Sequence, residues 1–194
     1  MSGTLRTNEL RYRGKGIYRP AEIRLDAQNF SATSVIFNLD GSYPVYVVRF
    51  VNTVFASNDG VFEMETSTDN GVSWDSTSGD YSTIAQSRDG AGNSLYTEVD
   101  NRLIFNASGE GIGNDGARDG LRLEMLIFNA NEAGAYTGFV GAGSYHSTVA
   151  NGDRPVLCQF GGMRFTTSDI TNLRFQMPAS VMTGRGFLYG IKEY

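Results

Sequence analysis

The chain has 194 residues, among them 24 glycines, one cysteine and one histidine, and a formal net charge of −5. That length suits one domain with its own core, the lone cysteine excludes an internal disulfide and a cysteine-based metal centre, and the lone histidine excludes a histidine-built one. Plentiful Gly, Asn, Ser and Thr disfavour long helices, and no segment of ten or more residues shows a helical period. The expectation is an all-β protein, and no cofactor is implied.

Residues 1–20 hold few apolar side chains and end at Pro20. The first 24 residues carry six basic and two acidic groups, whereas the remainder carries ten basic and nineteen acidic. A positive leading segment on a negative body is the pattern of an interaction tail. Residues 1–20 therefore read as a basic arm and 21–194 as the folded domain. Arg6, Arg11, Tyr12, Arg13, Tyr18 and Arg19 are its candidate partner-binding residues, because Arg and Tyr are favoured at protein interfaces. The N-terminus is polar and has no apolar h-region, so no signal peptide is expected. No stretch approaches the ~20 apolar residues of a membrane span. The acidic body argues against nucleic acid as a partner, since phosphate neutralisation supplies most of that affinity.

The body divides into expected strands near 21–26, 33–39, 45–52, 61–67, 80–87, 95–99, 102–106, 121–129, 135–148, 155–165, 170–177 and 186–191. Turn signals such as Asp40-Gly41, Asn70-Gly71 and Asn151-Gly152 separate them, supplying the positive-φ positions of hairpin turns. Spacing of this kind indicates a β-sandwich or barrel. Val45 to Val51 is apolar except for Arg49, as expected of a strand central in its sheet or covered on both faces.

Within these segments, few residues assemble into a chemical motif. Gly111 to Gly116 matches G-x-G-x-x-G, but a strand rather than a helix is expected after it, which removes the helix N-terminus that would hold a phosphate. Glu63 and Glu65 share one strand face and form the only candidate acid pair for glycoside hydrolysis. An ordinary solvent-facing strand is the simpler reading of them. The Asp-containing turns lack the calcium-loop spacing. Cys158, among Val156, Leu157 and Phe160, reads as an inert core thiol, and His146 as a structural histidine. Trp74, Tyr81, Tyr136 and Tyr145 are the candidate ligand-stacking residues, since an aromatic offers an apolar face with a polar edge. Trp74 also fits as a lid over one end of the sandwich.

At the C-terminus, Leu173, Phe175 and Met177 share one face of a strand that Pro178 ends. The Thr183-Gly184-Arg185-Gly186 run reads as a turn into a last strand on which Phe187, Tyr189 and Ile191 alternate. The expectation is a terminal hairpin that closes the sandwich.

Two stretches carry a resemblance. Thr68-Asp69-Asn70-Gly71-Val72-Ser73-Trp74-Asp75, followed by Tyr81, resembles a strand–turn–Trp–strand pattern of tailed-bacteriophage virion proteins. Ile170-Thr171-Asn172-Leu173-Arg174-Phe175, with Gly184, Phe187 and Leu188-Tyr189-Gly190-Ile191-Lys192, is similar to their C-terminal ending. The Pro178 to Met182 segment departs from the Gly-Ser-rich turn of that pattern. The resemblance implies an antiparallel jelly-roll-like β-sandwich with a short N-terminal arm, in a non-enzymatic structural component of a virion. It also implies a homotrimer whose partners are other capsid or tail proteins, made in the host cytoplasm. The alternatives are a receptor- or carbohydrate-binding module of a tail fibre or tail tip, which would bind a host-surface glycan, and a glycan hydrolase using Glu63 and Glu65.

Overall fold

In a computed structural model the described residues are 21–57, 60–88, 92–106, 112–113, 120–147, 154–178 and 180–192. The arm of 1–20, most of the Gly111–Gly116 motif and the Asn151-Gly152 turn lie outside them.

Among the described residues, twelve strands form two antiparallel sheets packed face to face. They are β1 (Ala21–Ala32), β2 (Ser34–Asn38), β3 (Val45–Phe55), β4 (Glu63–Ser67), β5 (Tyr81–Arg88), β6 (Asn93–Asp100), β7 (Leu103–Ile104), β8 (Leu121–Phe128), β9 (Thr137–Ser147), β10 (Arg154–Arg164), β11 (Asn172–Gln176) and β12 (Met182–Lys192). The larger sheet runs β1-β12-β3-β8-β9-β10-β5-β6 and the smaller β2-β11-β4-β7. Without the β5–β6 and β9–β10 hairpins, the eight remaining strands fall into two four-stranded sheets, β1-β12-β3-β8 and β2-β11-β4-β7. That is the strand order of a jelly roll. The two hairpins are insertions into it, and they meet through the β5–β10 pairing to widen one sheet only.

Alternation decides which side of each strand is buried. On β3, Tyr46, Val48 and Phe50 point inward, and on β11 Leu173 and Phe175 do, with Met177 just beyond. Between the sheets lies an aromatic core in which the Phe50 and Phe175 rings are 4.9 Å apart and those of Phe105 and Phe160 4.7 Å. Such edge-to-face pairs add to the stabilisation from area burial alone. β3 is central, between β12 and β8, as its apolar sequence requires.

The terminal hairpin does not form. β11 pairs with β2 and β4 in the smaller sheet, while β12 pairs with β1 and β3 in the larger. The chain thus passes from one sheet to the other between Gln176 and Met182. β12 begins at Met182, four residues before the expected start, and the supposed turn glycines lie inside it. Gly186 is there for space: a Cβ would come 2.7 Å from Cζ of Phe37. Phe187, Tyr189 and Ile191 consequently face outward, and Leu188 with its flanking glycines faces the core. At Gly186 and Gly190 the neighbouring Phe37 and Tyr43 rings leave no room for a side chain on that side of β12, and the aromatics take the other.

Asn70 and Gly71 do adopt positive φ, 61° and 81°, but the turn joins strands of different sheets rather than a paired hairpin. Two further differences are local. β1 continues to Ala32 through the expected break, and the 102–106 segment pairs only at Leu103–Ile104.

Candidate functional site

The outward side of the eight-stranded sheet is ordered in rows that run across the strands. One row reads Arg24, Tyr189, Val47, Leu126, Val140, Gly161, Ile84 and Thr97, one residue per strand from β1 to β6. From Tyr189 to Thr97 it contains no charge. The adjacent row places Arg49 beside Glu124, and Arg49 also reaches Glu22 on β1, with ion-pair distances of 2.5 Å and 2.7 Å. The Glu22 carboxylate beside Arg49 holds its guanidinium pKa above the ordinary value. On the same face lies a shallow hollow of about 690 Å³ lined by Leu126, Val140, Ala142, Gly161, Ile84 and Leu95 among others. Small residues at positions 142 and 161 open it, because they leave the sheet surface low between larger neighbours.

The outward side of the smaller sheet is polar and largely self-satisfied. Glu63 and Glu65 are buried at 1 % and 6 % exposure, which corrects the solvent-facing expectation. The cause is cross-strand cover: Arg174 and Gln176 on β11 stand directly opposite Glu65 and Glu63. Arg174 holds Glu65 through Nε and Nη2, and its guanidinium lies 4.4 Å from the Trp74 ring centroid in a cation–π contact. Gln176 donates to Glu63 Oε1 at 2.9 Å. Arg102 Nε lies 2.9 Å from Glu63 Oε2, in ion-pair range but off the hydrogen-bond line. Burial raises the Glu63 pKa from the ordinary carboxylate range, and Arg102 opposes that shift only in part. Paired carboxylates here are cross-strand braces, with their oxygens turned to protein groups.

The third feature is the end of the sandwich where the loops after β4, β8 and β10 gather. Arg164 is fully buried there. Its Nε donates to Asp75 Oδ2 at 2.7 Å and its Nη1 to the carbonyls of Thr166 and Ser168 at 3.2 Å and 2.8 Å. Asp69 accepts from Ser67 and from the hydroxyl and amide of Ser73. Those bonds, the Ser73 hydroxyl first, pull its pKa down to about 2. Its oxygens are thus committed within the turn, and among the described residues no cluster of three or more metal-ligating side chains occurs.

The four candidate stacking residues do not converge. Tyr81 is fully buried, with its hydroxyl 2.8 Å from the Thr66 hydroxyl, and Tyr145 is buried with its hydroxyl 3.3 Å from that of Ser87. Both fall on inward positions of long strands, so neither offers a free ring face. Trp74 lies over Arg174, on the smaller sheet's outer face rather than as an end lid. Tyr136 is exposed and meets the exposed Phe165 edge to face at 5.8 Å. Cys158 is buried, and burial pushes its thiol up to about 11, as expected of an inert core cysteine. What sequence reading missed is the uncharged row. Its strands are individually legible, but the row exists only once the register aligns them.

Fold and faces together define a jelly-roll β-sandwich, widened on one side into a broad sheet whose outer surface is crossed by an uncharged row. No family model, curated protein or solved structure matches the chain at a significant level.

Proposed function

We propose that the protein is a non-enzymatic structural component of a bacteriophage virion, a homotrimer held to other capsid or tail proteins by the arm of residues 1–20 and presenting the sandwich outward. The observation that carries the structural-protein reading is the outer face of the eight-stranded sheet, where an uncharged row crosses seven strands beside a row whose charges are already paired. A surface of that kind suits lasting contact with protein better than capture of a small polar ligand. The virion itself is suggested by the segments around Asn70-Gly71-Val72-Ser73-Trp74 and Leu188-Tyr189-Gly190-Ile191-Lys192. The arm's basic residues complement an acidic neighbour.

The rival readings draw less support. Two of the four residues proposed for a carbohydrate module are committed to the core, and a third is committed to Arg174. The hydrolase would need Glu63 and Glu65 to reach a sugar, and both are covered.

Removal of residues 1–20 is expected to abolish incorporation into particles while near-UV circular dichroism shows the body still folded. Particles carrying the truncated protein at full occupancy would remove the anchoring role. Failure to find the full-length protein in purified particles would remove the virion.

A further inference from the structure

We infer that the outer face of the eight-stranded sheet binds a second copy of this chain, with the β5–β6 ridge of one copy seated in the hollow over β9 and β10 of the other. This deepens the proposal above at one point, the homo-oligomer, and would survive loss of the virion reading.

Three observations carry it. First is size. Leu95, Leu157, Val99, Ile84 and Val140 all lie on this face and are 71, 65, 58, 53 and 47 % exposed. Together they present roughly 500 Å² of surface, interrupted by Gln86, Gln159 and Arg88, which is more than half of the ~800 Å² that one partner gives to a stable interface.

Second is shape. The same face holds both halves of a fit: the projecting Leu95 and Val99 at the open edge of the sheet, and the hollow floored at Ala142 and Gly161. A surface that carries its own complement satisfies what a contact between identical chains requires, in which residue i meets j.

Third is charge. Each chain carries −5, which opposes association of like copies. Yet Arg49 pairs with both Glu22 and Glu124 within its own chain on this face. Arg88 and Arg122 stand on the same side, in the row of Leu157, so the acidic excess of the chain is not concentrated on this face.

Register supplies a direct test. Ala142, Gln159, Gln86 and Leu95 lie opposite one another on successive strands. Three strand spacings of ~4.8 Å put residues 142 and 95 about 14 Å apart in one chain, beyond the ~7 Å reach of a disulfide. A Leu95→Cys, Ala142→Cys double variant can therefore join these positions only between copies. Cys158 is buried and stays out of the exchange.

Expected for the full-length protein are a light-scattering mass two or three times the 21.1 kDa of one chain and a covalent dimer on mild oxidation of the double variant but of neither single variant. Leu95→Glu with Leu157→Glu should return the mass to one chain with an unchanged circular dichroism spectrum, both side chains being exposed. A single-chain mass for the unaltered protein at 100 μM would overturn the inference. So would an oligomer that the glutamates leave intact, or one in which the double variant gives no cross-link. Because purified protein suffices, the result is independent of incorporation into particles.

Discussion

At Glu63 a carboxylate sits under protein cover on a strand whose five residues are all buried. Its ionised form loses more to desolvation than Arg102 and the Gln176 amide return, so its folded pKa lies above the unfolded one. The folded state then binds the proton more tightly. The ionised carboxylate detracts from stability at neutral pH, and that loss is relieved as pH falls through the folded pKa toward the unfolded value of ~4.3. Glu63→Gln should therefore melt at or above the wild-type temperature at pH 7.5, with the difference shrinking as pH approaches 5. Calorimetry across that range checks the sign. A variant that melts several degrees lower at pH 7.5 would show that the Arg102 contact outweighs burial.

Between strands, Arg164 joins elements that no ladder connects. It ends β10 and ties Asp75, in the loop after β4, to the carbonyls of Thr166 and Ser168 on the way to β11. An arginine suits the place because one planar fork serves several acceptors at fixed angles. Arg164→Ala should cost about 3–5 kcal/mol in urea denaturation, the range for breaking a buried charge pair. Arg164→Lys should recover only part of this, since an ammonium has no fork. Arg164 was not singled out in the sequence, where Gly161-Gly162-Met163-Arg164-Phe165 reads as the end of a strand and nothing more. An arginine becomes a hub only through the carbonyls and carboxylate that other loops bring to it. The candidate site shows the same limit: alternation places Ile84, Leu126 and Val140 on strands, but only the pairing makes them one row.

For the molecule as a whole, the first and last strands are partners. β12 pairs with β1 on one side and β3 on the other. The larger sheet therefore closes only when residues 182–192 arrive, and its pairings join segments far apart in the chain. Such topology folds slowly, in roughly milliseconds to seconds, because loop closure precedes the contacts that offset it. Deleting residues 182–192 should leave β1 without a partner and expose Phe50 and its neighbours, giving a chain that lacks near-UV dichroism and aggregates. A soluble truncated protein with the native near-UV spectrum would contradict this placement of β12.

Local chemistry was enough to read the class of the protein, the position of nearly every strand and the central place of β3, because period-two burial and turn residues act over a few neighbouring positions. Asn70 and Gly71 take positive φ as their side chains require, yet they could not say whether the next strand returns to its neighbour or crosses to the other sheet. Which strands pair, that β11 and β12 face each other across the core, and that Phe187 and Tyr189 look outward were decided only by tertiary structure. Each depends on the space left by distant residues such as Phe37 and on a register summed across eight strands, and neither is a property of any short stretch of chain.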